Sequence, residues 1–508
     1  MQRPTAKAAA TGAALLILLA GCGGKDDSKG SDASKSADTT ATPAPPPVAS
    51  FDPPKGFTPA SAFGVLRNDK ENQYTLKAGM VGQTSLVSAN SGLTGRNIAA
   101  QHEPWSVPSS ETPDTIVTTD HSTPMPVQVD GKDVVAIAYV QNNKGGGTQK
   151  VHGQILIQWL DAADGTKVGE VTVDLSQQLG PGGGAERVVS QAFDQATGQL
   201  ALAFNATGEG AAKKVGDYFT LFADPKTQKA GLIPNFIGGA VLNGKLAGTP
   251  GDTTSAKPEH SIVFADGPTA KVTKKVPTKE ENLKVAGSGT KHVYLTASTY
   301  VGEKSYASVY NNSVYSVDIA TEAVVQTKSQ LGSKDRYYFL CRGDQAAGVV
   351  CNTGQNAGTE EIIGFDDNTG NKVWGYTKAS ASRVVPSVTA AFHGVVYGYA
   401  GDQPVMLNIS NGQDIPRPSG SMPSATDTPS DGTTSSESPS STPSDSSSAG
   451  PGTNDPSSAF ASDMSLYDPR LGVPSPTAVT QYGAAYLQGS SGNDFERMSI
   501  LIVLKPIA

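Results

Sequence analysis

The sequence predicts an all-β chain, and three observations carry that prediction. From about Phe51 onward no stretch shows the i, i+3, i+4 apolar spacing of an amphipathic helix. In its place stand short runs rich in Val, Ile, Tyr, Phe and Thr: Val134 to Val140, Ile155 to Leu160, Leu200 to Phe204, Tyr218 to Phe222 and Val395 to Tyr399. Gly, Asn and Asp break these runs, and 56 glycines suit a chain that reverses every few residues.

One unit recurs along the chain. A β-run ends in an acidic or amide residue, a small polar turn follows, and a second strand begins. The unit is clear at Leu160-Asp161-Ala162-Ala163-Asp164-Gly165, at Phe365-Asp366-Asp367-Asn368-Thr369-Gly370 and at Leu407-Asn408-Ile409-Ser410-Asn411-Gly412. Weaker copies centre on Asp224, Asp266 and Asp318, and another on Asn90. In a tight hairpin the Asp or Asn side chain caps the turn and Gly supplies positive φ, so Asp161, Asp318, Asp366 and Asn408 are expected as turn caps. The copies stand 42 to 71 residues apart, an irregular period that blades with variable loops produce.

These units resemble PQQ-like (quinoprotein-like) β-propeller repeats, with Phe365 to Trp374 the best match and His393 to Ile415 a second. The resemblance implies a β-propeller of seven or eight four-stranded blades; a pair of β-sandwiches is the competing arrangement. The last blade is expected to be completed from the other end of the chain by the strand containing Phe63-Gly64-Val65-Leu66. The family's enzymes stack their cofactor between a tryptophan and an adjacent-cysteine disulfide. This chain has no Cys-Cys pair and only Trp105, Trp159 and Trp374, so no catalytic residue transfers to it and no cofactor is expected.

The N-terminus is read apart from the fold. Arg3 and Lys7 precede an uncharged stretch, Ala8 to Ala20, of 13 residues, well short of the roughly 20 needed to span a bilayer. It ends in Leu19-Ala20-Gly21-Cys22, which resembles the lipobox of bacterial lipoproteins. That resemblance implies a signal peptide over 1–21, cleavage before Cys22, and diacylglyceryl lipid on its sulfur; two acyl chains suffice for stable anchoring. Residues 22–50 are Gly, Ser, Lys, Asp, Thr and Pro with little to bury, and are expected to be a disordered tether. Residues 51–508 are expected to form the propeller, interrupted at 416–460 by a disordered Ser/Thr/Pro-rich insert.

Cys22 apart, Cys341 and Cys351 form an even pair, as an exported chain allows. Their spacing puts them at the ends of a β-hairpin, with Tyr337 to Cys341 antiparallel to Gly348 to Cys351 around a turn from Arg342 to Ala347. A disulfide there contributes about 2–3 kcal/mol in the chain-entropy view.

Catalytic patterns are missing from the linear sequence. Gly239-Ala240-Val241-Leu242-Asn243-Gly244-Lys245 begins like a P-loop but continues with Leu246, where Ser or Thr must reach Mg²⁺. Asn243-Gly244 between apolar residues is instead a type I′ hairpin signal. The six histidines, His102, His121, His152, His260, His292 and His393, share no metal-ligand spacing and read as loop or blade-surface residues. A net charge of −8 without a Lys/Arg block gives nucleic acid no footprint. The expectation is a lipid-anchored protein on the extracytoplasmic side of the cell membrane, held to the bilayer through Cys22. It is expected to be not an enzyme but a binding or scaffolding propeller for another envelope protein or a small ligand. The alternatives are a ligand- or carbohydrate-binding component of a transporter or sensor, and an enzyme with a cryptic site in the channel.

Overall fold

A computed structural model of the chain describes residues 53–66, 76–99 and 103–418, apart from short gaps in connecting loops, together with 462, 464–468, 475–489 and 498–507. The expected signal segment, Cys22, the tether and all of the insert beyond Pro418 lie outside the described residues.

The strands form eight antiparallel sheets, the blades, with strands lettered a to d from the inner strand outward; in five of them these are four strands in chain order. Blade 1 is Lys77–Val81, Thr84–Ala89, Gly92–Asn97 and Trp105–Pro108. Blade 3 is Gly184–Phe193, Leu200–Thr207, Asp217–Asp224 and Lys229–Pro234; blade 4 is Phe236–Leu242, Lys245–Pro250, Ser261–Asp266 and Lys271–Pro277. Blade 5 is Lys284–Ser288, His292–Lys304, Ala307–Asp318 and Val324–Lys328. Blade 6 is Phe339–Gly343, Gly348–Thr353, Glu361–Asp366 and Asn371–Thr377.

The other three depart from four simple strands. Blade 2 has its inner strand split into Ile116–His121 and Met125–Val129, both paired to Lys132–Asn143, before His152–Asp161 and Lys167–Asp174. Blade 7 is Ser387–Phe392, Val395–Ala400 and Gln403–Asn408, and among the described residues a bridge from Leu407 to Asp414 stands where strand d would be. Blade 8 is Ala478–Thr480, Gly483–Gly489 and Met498–Pro506, and its outer strand is Phe57–Leu66 from the other end of the chain. The expected closing strand is therefore present and longer than its Phe63 to Leu66 core. The a strands of consecutive blades lie side by side round the ring, with Lys77–Val81 beside Ala478–Thr480 closing it.

Packing explains why the apolar runs looked continuous. Each sheet is buried on both faces, so successive side chains serve different neighbours. In blade 2, Val134, Ala136, Ala138 and Val140 pack toward blade 3, while Val135, Ile137 and Tyr139 pack toward blade 1. In blade 8, Ile500, Ile502 and Leu504 face blade 7, while Leu501 and Val503 face blade 1. Among the described residues the buried apolar clusters number eight, each shared by two consecutive blades. All three tryptophans stitch these seams. Trp105 Nε1 donates to the Ala162 carbonyl (3.3 Å), Trp159 to Gly198 (2.9 Å) and Trp374 to Ile409 (2.6 Å), each a blade onward.

The a–b and c–d turns share one end of the ring, called here the turn face; the b–c and d–a connections make the opposite loop face. Asn243 and Gly244 have φ of 48° and 80°, as a type I′ turn requires, and they form the a–b hairpin of blade 4 rather than a phosphate cradle. Asn90 is a correction to the repeat: it lies on the b–c turn of blade 1, not a c–d turn. Its spacing matched because that blade carries its tight turns at 82–83 and 90–91 and its longer link after Asn97.

Candidate functional site

The turn caps lie together on the turn face. Asp161 Oδ1 accepts the Ala163 N–H (2.9 Å); Asp318 Oδ1 accepts those of Ala320 (2.8 Å) and Thr321 (2.7 Å). Asp366 accepts from the Asn368 N–H (3.0 Å) and Thr369 Oγ1 (2.9 Å), and Asn408 Oδ1 from the N–H (2.9 Å) and Oγ (2.7 Å) of Ser410. The Cys341–Cys351 disulfide is formed, between residues directly opposite in strands a and b of blade 6. Its hairpin turn is shorter than the sequence suggested. Arg342 and Gly343 extend strand a, and Asp344–Ala347 alone make the turn, because Asp344 Oδ1 caps the N–H groups of Ala346 and Gly348 (both 2.9 Å).

Two histidines expected at loops or blade surfaces are buried. His292 opens strand b of blade 5 against Asp367, whose carboxylate is nearly inaccessible in the c–d turn of blade 6. Asp367 Oδ2 accepts the N–H groups of Thr290 (2.6 Å) and Lys291 (2.9 Å) and the Thr290 hydroxyl (3.0 Å); Oδ1 accepts the Tyr294 hydroxyl (3.1 Å). His292 Nδ1 donates to the Asp367 carbonyl (2.8 Å). Burial alone lowers the imidazole pKa, but the hydrogen bonds and charge of Asp367 outweigh it and hold it above the ordinary value. This is a clamp between blades 5 and 6. The sequence hid it because Asp367 stands beside the cap Asp366 in a turn that one carboxylate already explains.

His121, at the break in the inner strand of blade 2, is fully buried, with Nδ1 3.1 Å from Asn90 Oδ1 and its ring stacked on Tyr139. Burial first, and then the nearby Lys77 cation, lower its pKa to about 4. Its folded pKa lies below the unfolded value, so the stability it contributes is full above about pH 6.5 and drains as pH falls toward 4. The loss expected across that window is about 3 kcal/mol, from roughly 1.4 kcal/mol per unit. Denaturant melts at pH 7.5 and 4.5 check this: His121→Gln should flatten the pH dependence, and an unchanged slope would place its source elsewhere.

The loop face carries a second cluster that the linear motifs missed. Strands b and c of blade 5 run far beyond their neighbours. Strand a pairs only with Val293 to Thr296, and strand d only with Ser313 to Val317. Beyond the last backbone ties to flanking chain, Ser298 N–H to the Glu281 carbonyl (3.2 Å) and Ser329 N–H to the Asn312 carbonyl (2.9 Å), the two continue as a ribbon, with Tyr300 opposite Tyr310. Tyr300 and Val301 are 42% and 50% exposed, high for side chains of this kind. From Tyr300 a ladder of rings and cations crosses to blade 6. Tyr300 meets Tyr310 edge-on (5.6 Å), the Arg336 guanidinium lies over Tyr310 (4.8 Å), Arg336 Nη1 donates to the Tyr338 hydroxyl (3.4 Å), and Lys284 Nζ sits over Tyr338 (4.3 Å). Each cation–ring contact contributes about 0.5–1 kcal/mol at an exposed site, which biases the side chains toward these positions against the roughly 2 kcal/mol of rotamer entropy that Arg or Lys would lose.

Beyond Tyr338 the chain becomes the channel-lining strand of blade 6. The Tyr338 carbonyl already pairs with the Gly354 N–H (2.9 Å), so the ladder begins there. Phe339 and Cys341 turn into the seam with blade 5, which puts Tyr338, Leu340 and Arg342 on the other side. Leu340 is 46% exposed and Arg342 half-buried. Among the described residues no group pairs with the Arg342 guanidinium, and burial holds its pKa below the ordinary arginine value. Lys77, on the inner strand of blade 1, is by contrast neutralised by Asp120 (3.5 Å). No group of three or more metal-ligating side chains is found among the described residues.

No family model matches the chain, and no curated protein matches it. Solved structures do. It is similar to the dihydro-heme d1 dehydrogenase NirN, at 12% identity over 75% of this chain and 76% of that one, with a TM-score of 0.40. It is also similar to the β-propeller domain of the Trilobed protease from Pyrococcus furiosus, described as having an open velcro topology (12% identity, 59% and 83% covered, TM-score 0.34). A third is prolyl oligopeptidase B from Galerina marginata (11%, 69% and 50%, TM-score 0.37). The chain is an eight-bladed β-propeller. The architecture rests on the strand pairing.

Proposed function

We propose that this propeller is a lipid-anchored, non-catalytic binding or scaffolding protein of the extracytoplasmic membrane surface, and that its recognition surface is the loop-face rim of blades 5 and 6. One observation carries the reading: the ordered ladder from Tyr300 through Tyr310, Arg336 and Tyr338 to Lys284, held in place yet open to solvent. Tyr and Arg are enriched at the energetic centres of protein interfaces, Tyr because it offers large contact area with only two χ angles to fix and Arg because its planar fork makes several directed hydrogen bonds. The lipobox-like Leu19-Ala20-Gly21-Cys22 supports the anchor. The chain also joins the propeller at Gly56–Phe57, beside Pro506 and Ile507 on the turn face, opposite the rim.

Two experiments test it. Cys22→Ala should stop palmitate labelling and leave the precursor uncleaved; undiminished labelling would remove the anchor. For the rim, crosslinked envelopes should yield a discrete adduct with the wild type, reduced at least tenfold in Tyr300→Ala/Arg336→Ala. An adduct indifferent to those changes would place recognition elsewhere.

A further inference from the structure

The residues leading from the rim into the channel constrain what the partner presents. Arg336, Tyr338, Leu340 and Arg342 follow one another at every second position, and from Tyr338 on they share one side of an extended strand. Alternate residues of a strand advance about 6.6 Å, so the two arginines stand about 20 Å apart along the chain with an aromatic and an aliphatic group between them. An extended peptide repeats its own side chains at the same pitch, and recognition of extended chains uses that match. Along the stripe and beside it the charges are one-sided: Lys284, Arg336 and Arg342 are cations without a carboxylate partner among the described residues, while the rim carboxylates of Glu280 and Glu361 are taken up by neutral donors, Thr299 and Gln326 on the first and Ser329 and Gln330 on the second. That is conspicuous in a chain with 47 acidic and 39 basic residues. Arg342 is the decisive group. Half-buried on the channel wall and without a side-chain partner among the described residues, its guanidinium is partly stripped of water, and a bound carboxylate meets it in bidentate form.

Taking the rim as the recognition surface, we propose that the stripe Arg336–Tyr338–Leu340–Arg342 docks an extended acidic segment of a partner protein. One carboxylate of the segment lies at the rim against Arg336, apolar side chains lie over Tyr338 and Leu340, and a second carboxylate reaches Arg342 on the channel wall. The Cys341–Cys351 disulfide, flanked by Leu340 and Arg342, holds that strand in register.

The test uses the purified full chain in detergent and a fluorescein-labelled ten-residue peptide with Glu at positions 2 and 8 and Val at 4 and 6. Fluorescence anisotropy should show binding. Replacing both Glu by Gln, or bringing them to four residues apart, should weaken it at least tenfold. Arg342→Gln should raise Kd about ten- to a hundredfold, as expected for a charge-assisted hydrogen bond out of bulk water. Arg336→Gln, at the exposed end, should raise it about two- to fivefold and lose that effect in high salt. Without peptide, Arg342→Gln should melt at or above the wild-type temperature, since it removes a half-buried charge that no side chain pairs; a lower melting temperature would make Arg342 a structural group and overturn the assignment. So would equal binding of the Gln peptide, or Arg342-dependent binding of inorganic phosphate as tight as that of the peptide. Should the peptide arms fail while the envelope adduct still depends on Tyr300 and Arg336, the acidic-segment assignment falls and rim recognition stands; loss of both removes both.

Discussion

Joining Ser50 directly to Arg67, which deletes the strand Phe57–Leu66, is expected to abolish the soluble monomer. That strand supplies the outer edge of blade 8 and contributes Phe57 and Ala62 to the seam with blade 7. Its loss leaves one edge of Met498–Pro506 unpaired while the other keeps Gly483–Gly489, and because that strand carries the buried run Ile500 to Leu504, the result is an open apolar edge of the kind that recruits other chains. Size-exclusion chromatography should find aggregate in place of monomer. A rescue separates closure from composition. The Ile507 N–H donates to the Gly56 carbonyl (3.0 Å), so the two ends of the domain are neighbours. Moving residues 56–66 to follow residue 508 through a short turn should restore the monomer. Failure of the transplanted strand would mean that the N-terminal connection itself is required.

Asp367→Ala should destabilise the protein by about 3–5 kcal/mol, the range for breaking a buried, fully hydrogen-bonded charge cluster. The substitution strips a partner from the N–H groups of Thr290 and Lys291 and from the hydroxyls of Thr290 and Tyr294, and leaves His292 without the carboxylate that favours its cation. Asp366→Ala, one residue earlier, removes an exposed cap and should cost about 1 kcal/mol. Guanidinium unfolding followed by tryptophan fluorescence compares the two. Equal effects would deny that the clamp between blades 5 and 6 differs from an ordinary turn cap. Because the raised His292 pKa makes its contribution complete below about pH 6.5 and lost as pH rises through the folded value, the gap between the variants should widen toward acid.

Much of the architecture was legible because blade formation is local. Asp161, Asp318, Asp366 and Asn408 cap turns with the residues that follow them, and a hairpin two residues wide announces itself at Asn243-Gly244. The apolar run of the last strand, and the spare strand near Phe63, were likewise enough to expect closure across the termini. Blade number was less legible. Blade 2 breaks its inner strand at 122–124, blade 7 carries a bridge at Asp414 where strand d would be among the described residues, and Asn90 mimics a c–d turn from the other face, so spacing alone left seven and eight open.

The rim and the clamp belong to a different class of feature. Asp367 is buried only because blade 5 presents two N–H groups to it, and Lys284 meets Tyr338 across 54 positions of sequence. One local signal was present: Arg336-Tyr337-Tyr338-Phe339-Leu340-Cys341-Arg342 keeps its odd members for the seam or its border and sets its charges at even positions. Reading the segment as one arm of a disulfide hairpin drew Arg342 into the turn and hid that alternation. His121 was missed for a related reason, since the strand break that buries it is visible only once both halves pair with Lys132–Asn143.

Site-specific photocrosslinking in intact cells tests the central claim most directly. A benzophenone amino acid replaces Tyr300 on the loop-face rim or, as the control, Val373, which is 49% exposed on the outer strand of blade 6. Recognition through the rim predicts a discrete, ultraviolet-dependent adduct from position 300 that is lost in Arg336→Ala, and none from position 373. An adduct of equal yield from both positions, or from position 373 alone, would contradict it.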